Sequence, residues 1–136
     1  MTGVPRPQSL DGRWALVTGA AKRIGAVIAR TLHAAGANVA IHYYSSADAA
    51  EALVGELESV RPRSALAVSA DVRDVRELER MARAVLDRTK RIDILVNNAS
   101  NFYPTRIGTI TEEQWDDLVG SNLKAPLFLT QALLPA

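Results

Sequence analysis

Four short apolar runs alternate strictly with stretches of helical character, and that order constrains the fold more than any other feature. The runs lie at residues 13–18, 38–43 (NVAIHY), 64–70 (SALAVSA) and 91–97 (RIDILVN). Each is continuous rather than alternating, as expected for strands covered on both faces by crossover helices. The stretches between them carry helix signals. Lys22 to Ala35 is alanine-rich with Gly36 in the C′ position, and Ala47 to Val60 is stopped by Arg61-Pro62. Asp74 is expected to cap the third helix with Glu77 as its reciprocal partner, ahead of a solvated, charge-rich face in RELERMARAVLDRTK. Thr111 and Gln114 form a second capping box, opening a stretch through LLPA that reads as helical throughout. Pro126 implies a helix start or a kink just before it. The expectation is an α/β chain with a doubly wound parallel sheet.

The first connection carries the chemistry. TGAAKRIG, residues 18–25, joins the first apolar run to the first helix. Gly19 allows a sharp turn directly after the strand, and Gly25 lets helix and strand approach closely. Exposed amides at the helix start then attract an anionic phosphate. A phosphate loop on the first strand makes the sheet Rossmann-type, with strand order 3-2-1-4. The second strand ends in IHYYSS, residues 41–46, with no carboxylate to hold both ribose hydroxyls of NAD. Lys22 and Arg23 stand nearby, and a basic pair without an opposing acid suits a 2′-phosphate. The expected cofactor is therefore NADPH/NADP, with Arg23 selecting it over NADH.

Composition excludes several classes of function. The 136 residues are 48% hydrophobic and 23% charged, with net charge +1, which gives no sign of a nucleic-acid or membrane-surface partner. No apolar run approaches the ~20 residues of a membrane helix. Cysteine is absent, so disulfide and thiol chemistry are excluded, and His33 and His42 are too few for a histidine-rich metal cluster. His33 is expected to be a core or surface histidine, and Trp115 a packing residue of its helix. Residues 1–12 read as a flexible arm rather than a signal peptide, ahead of a nucleotide-binding domain over 13–136. The default location is cytoplasmic.

The loop is similar to that of the short-chain dehydrogenase/reductase family, which reads Thr-Gly-x-x-x-Gly-x-Gly. Here Arg23 replaces the middle glycine and Ile24 precedes the last. Asn97-Asn98-Ala99-Ser100 resembles the family's Asn-Asn-Ala-Gly, with Ser100 in place of glycine. Together with His42-Tyr43 and Phe102-Tyr103-Pro104, these motifs resemble the pteridine reductase branch over nearly all of residues 13–136.

The resemblance implies roles residue by residue. Gly19, Lys22, Arg23, Ile24 and Gly25 form the cofactor loop, and His42, Tyr43, Ser45 and Ser46 border the 2′-phosphate pocket. Ser45 stands where the branch often has an arginine, which puts more weight on Arg23. Asp71 and Val72 contact the adenine, while Asn98, Ala99 and Ser100 pass close to the cofactor. Ser100 also faces a pterin or folate-type substrate that stacks on Phe102 against the nicotinamide. Asn122, in SNLKAP, holds a water of the proton relay. A homo-oligomer, tetrameric in full length, is the family habit.

One expected part is missing from this sequence. Hydride transfer to C=N or C=O needs a proton donor beside it. The family supplies a tyrosine with a lysine four residues later. Tyr43, Tyr44 and Tyr103 are followed at that spacing by Ala47, Asp48 and Ile107. The sheet is thus expected to be truncated before its fifth strand, and the chain alone to be catalytically inactive. The alternatives are a non-catalytic nucleotide-binding module working by association, and a short-chain reductase of another carbonyl substrate.

Overall fold

The computed structural model describes residues 9–134. Most of the expected arm, residues 1–8, and the last two residues of the expected final helix lie outside the described residues. Residues 9–12 form a turn joined to the core, with Leu10 N donating to Ala35 O at 2.9 Å.

The strands are β1 (Trp14–Val17), β2 (Asn38–Tyr43), β3 (Ala65–Ser69) and β4 (Ile94–Val96). They form one parallel sheet in the order β3-β2-β1-β4, as expected. Leu16 pairs with Ala40 on one side and Leu95 on the other. The continuous apolar runs divide between two cores. Ala15, Val17, Val39 and Ile41 face one core, and Leu16, Ala40 and Leu66 face the other. Because successive side chains point to opposite faces, a strand covered on both faces takes a polar residue only where it is hydrogen-bonded, as His42 is at the end of β2.

Helices α1 (Arg23–Ala34) and α2 (Ala47–Val60) supply Ala26, Ala29, Leu53 and Leu57 to the first core. Helix α3 (Val75–Thr89) and helix α5 (Ala125–Leu133) supply Leu78, Met81, Leu129 and Leu133 to the second. The bounds of β2 and α2 match those expected from sequence. His33 is buried and its Nε2 lies 2.7 Å from Ser64 Oγ, so it belongs to the core.

Four local expectations are corrected. Asp74 caps α3 by accepting from Arg76 N at 2.9 Å, but the reciprocal half of the box does not form. Glu77 turns instead to the Asp71 amide at 3.0 Å, because the loop after β3 brings that donor within reach. The Thr111–Gln114 box does form and opens α4 (Glu112–Val119). The helix beyond it is not continuous. A π-helical turn, Gly120–Lys124, intervenes, in which Ala125 N bonds back to Gly120 O. The reason is Pro126, which has no N–H for an ordinary i→i−4 ladder and stands in the first turn of α5. The fourth apolar run is a strand only over Ile94–Val96. Trp115 is 62% exposed rather than packed.

Among the described residues β4 pairs only with β1, and Leu123, Leu127 and Leu134 are exposed. No helix of the described residues is long and apolar enough to cross a membrane.

Candidate functional site

The loops after all four strands meet at the carboxyl end of the sheet, and hydrogen bonds weld the first loop to the others. Thr18 is buried, and its Oγ1 accepts from Asn98 N and Ala99 N, each at 2.9 Å. Asn98 Nδ2 donates to Thr18 O at 3.1 Å and Gly19 O at 3.0 Å. Gly19 N donates to His42 Nδ1 at 2.9 Å, and His42 Nε2 reaches Ala70 O at the same distance. These partners require a neutral imidazole with its proton on Nε2. Burial holds the His42 pKa below its ordinary value, in agreement with that state. Both His42 ring nitrogens and the Asn98 amide nitrogen are therefore committed to the frame of the turn.

Glycine is required at two places. Gly19 has φ +61°, and a Cβ there would lie 2.9 Å from Ala99 Cα. A Cβ on Gly25 would meet Gly19 O, Asn98 Nδ2 at 2.6 Å and Ala20 Cα at 2.8 Å. Between them the start of α1 has no side-chain cap and no acidic residue in its first turn, while Lys22 and Arg23 are exposed. Positive N-terminal amides flanked by two cations make an anion cradle. Arg23 has φ +55°, a left-handed conformation disfavoured for a side chain with a Cβ. The arginine thus occupies a backbone geometry suited to glycine.

A cleft of about 520 Å3 opens over this cradle. Of the residues singled out from sequence, Gly19, Lys22, Arg23, Ile24, Gly25 and His42 border it from the first two loops. Asp71, Val72, Asn98, Ala99 and Ser100 border it from the other two. Tyr43, Ser45 and Ser46 border a neighbouring recess of about 140 Å3 that shares Gly19, Lys22 and Tyr44 with the cleft, and Lys22, Ser45 and Ser46 also line a hollow beside α2. Phe102 lies beyond the cleft rim, 88% exposed. Asn122 is in the π turn, where its Nδ2 donates to Asn101 O at 2.8 Å and Leu118 O at 2.9 Å.

Sequence reasoning missed Tyr44, Arg73, Asn101 and Ser121, which also line the cleft. Arg73 forks onto Asp71, with Nε–Oδ1 and Nη2–Oδ2 both at 2.9 Å, and its Nη1 donates to Asp117 Oδ1 at 2.6 Å. Hydrogen bonds from Arg73 hold the Asp71 carboxyl below the usual carboxylate range, and the same guanidinium lowers Asp117. The only signal available in sequence was the adjacency of Arg73 to Asp71, since Asp117 lies far along the chain. Tyr103 donates to Asp117 Oδ2 at 2.9 Å, and desolvation and that bond raise its phenol pKa. The Tyr103 hydroxyl proton is thus directed at Asp117.

Comparison with known proteins agrees with this geometry. Residues 13–136 match the family model described as short chain dehydrogenase. Pteridine reductase 1 of Leishmania tarentolae is 39% identical, aligning 87% of this chain with 52% of its own length. The 3-oxoacyl-[acyl-carrier-protein] reductase FabG of Staphylococcus aureus is 36% identical over 89% of this chain and 49% of its own. Among solved structures, a metagenomic blue fluorescent protein in complex with NADPH superposes with TM-score 0.89 at 35% identity, covering 95% of this chain and 53% of that one. A short chain dehydrogenase from Burkholderia cenocepacia in complex with NADP gives 0.88 at 37%, covering 93% and 51%. The chain spans about half the length of the relatives it matches.

Proposed function

Because this chain belongs to the short-chain dehydrogenase family, we propose that it forms the cofactor-binding half of an NADPH-dependent reductase of the pteridine reductase type. The observation that carries the reading is the cradle at the start of α1: uncapped amides, Lys22 and Arg23, and no carboxylate at the end of β2. NADPH-bound and NADP-bound solved structures with the same fold support it. When bound, the dihydronicotinamide supplies the hydride.

The chain's own residues bind and orient. The amides around Gly19–Gly25 receive the pyrophosphate, and Arg23 with Lys22 holds the 2′-phosphate. Ser45, Ser46 and Tyr43 border the neighbouring recess. His42 shapes the turn through Gly19 N rather than gripping phosphate itself. Asp71 and Val72 form the adenine side, and Ala99 and Ser100 lie along the cofactor towards the substrate. Phe102 offers an unburied ring to a flat dihydropterin or dihydrofolate, for which stacking supplies both area and orientation. In the π turn, residue 126 would be the α-helical partner of the Asn122 carbonyl but is a proline. That carbonyl is the group we assign to a water of the proton relay. Exposed Leu123 and Leu127 are the surface through which the longer protein forms a homo-oligomer. A cytoplasmic location accords with a chain that has no cysteine.

The similarity to a 3-oxoacyl reductase favours a second reading, reduction of another carbonyl. NADPH oxidation, followed with dihydrobiopterin and with a 3-oxoacyl substrate, separates the two. The 136-residue chain should bind NADPH without turnover, and a form extended to the relatives' length should consume it with the pterin. Turnover of the 3-oxoacyl substrate alone by the extended form would remove the pterin assignment. NADPH binding without turnover in both forms, with a stable partner complex, would identify a non-catalytic module.

A further inference from the structure

Three loops that a cofactor and a substrate would touch are tied to one side chain outside the residues assigned so far. Arg73 occupies both oxygens of Asp71 and one of Asp117, and its Cζ stands 5.6 Å over the Tyr44 ring. Gly120, in the π turn, lies against its stem: a Cβ there would be in contact with Arg73 Cβ and Cγ at 3.4 Å. Asp117 in turn receives Tyr103 Oη at 2.9 Å and Asn101 Nδ2 at 3.0 Å. These two residues flank Phe102. The guanidinium also forms the wall between the 520 Å3 cleft and a wider open groove of about 990 Å3 along α4.

We propose that Arg73 is a positioning residue that joins the adenine side of the cofactor cleft to the loop carrying Ser100 and Phe102. The proposal rests on the cofactor reading above. An isolated, partly exposed ion pair contributes little to stability. This guanidinium differs because it serves two carboxylates at once through charge-assisted bonds of fixed geometry. Removing it leaves Asp71 and Asp117 facing one another as like charges, which drives their loops apart. A ligand that settles against Asp71 and Tyr44 then tightens the Asn101–Tyr103 segment through Arg73 and Asp117. Lysine keeps the charge but cannot fork onto both acids.

The test is amide exchange of residues 98–104 in the full chain, with and without NADPH, for wild type, Arg73→Ala and Arg73→Lys. Without ligand, both variants should exchange about tenfold faster in that segment while β1 and β2 keep their protection, the scale of one charge-assisted bond. NADPH should protect the segment in wild type and do so much less in the variants. Arg73→Ala/Asp117→Asn should regain part of the slow exchange, because the repulsion is gone. Unchanged exchange and an unchanged NADPH response in both single variants would overturn the proposal. If wild type does not bind NADPH, the cofactor reading fails, and the ligand-free comparison alone decides whether Arg73 holds the loop.

Discussion

β1 and β4 are built from the same kind of residues and end up in different surroundings. Ala15, Leu16 and Val17 of β1 are fully buried, whereas Ile94, Leu95 and Val96 of β4 are each only half-buried. Hydropathy does not distinguish the two strands. Position does: β1 lies between β2 and β4, while β4 has a partner on one side only among the described residues. The glycine loop, residues 18–25, grows from the strand that has a neighbour on each side, and the loop carrying Ser100 and Phe102 grows from the strand with one. The first loop is held by close glycine packing and by the His42 and Asn98 side chains, and the segment around Phe102 by Asp117, which accepts from Asn101, Tyr103 and Arg73. The cradle is thus tied to the central strands, and the segment around Phe102 to an acid on α4.

The contrast can be broken most severely at Gly25. Gly25→Ala places a methyl against Gly19 O and Ala20 Cα, so helix and strand must separate. Overpacking of that kind is expected to destabilise by more than ~3 kcal/mol. A urea midpoint near wild type would show that the approach is looser than described.

His42→Leu comes next. It keeps the volume roughly constant but leaves Gly19 N and the Ala70 carbonyl without partners, a loss of about 2–4 kcal/mol. It should also change the pH response. Burial lowers the folded His42 pKa below its unfolded value near 6.5, so the unfolded chain takes up the proton first. The stability is complete above about pH 6.5 and falls as the pH drops below it. Melting temperatures from pH 7.5 to 5.5 should decline for wild type and decline less for His42→Leu. The remaining slope comes from His33, which burial and the Arg61 charge shift the same way. Equal slopes would take His42 out of the linkage.

A matched pair sharpens the comparison itself. Val17→Ala should cost about 2–3 kcal/mol and Val96→Ala only about 1 kcal/mol, because the edge strand already shares its surface with solvent. Equal losses in denaturant titrations would mean that β4 is covered as well as β1. The smallest expected effect has the opposite sign. Arg23→Gly relieves the left-handed strain and should stabilise the chain by up to about 1 kcal/mol while weakening NADPH binding. A simultaneous gain in affinity would mean that the arginine is not kept there for its charge.

Much of this architecture was legible in the sequence because local signals and global topology agree. NVAIHY, the Arg61-Pro62 stop and the Thr111–Gln114 box each act within a few residues, and the corresponding elements begin and end where those signals put them. The reading failed where a distant group competed. Glu77 had a nearer use at the Asp71 amide than at its own helix cap. Pro126 did announce a break, but not its form, a π turn in which Ala125 N bonds back to Gly120 O. At the site, the glycine positions could be read because close approach leaves a compositional trace. Arg73 could not, since a bridge from Asp71 to Asp117 exists only once the loops after β3 and β4 are side by side. The bonds that His42 and Asn98 make to the turn were not legible either, because their partners, Gly19 N and the Thr18 and Gly19 carbonyls, come alongside only in the folded sheet.

The claim at the centre is that Arg23, in a glycine-like conformation at the start of α1, reads the 2′-phosphate. Titration of NADPH and NADH into wild type and Arg23→Ala, followed by cofactor fluorescence, tests it most directly. Wild type should prefer NADPH, and Arg23→Ala should lose ~1.5–3 kcal/mol of NADPH binding while NADH is nearly unchanged. Equal losses for both cofactors, or no loss for either, would contradict it.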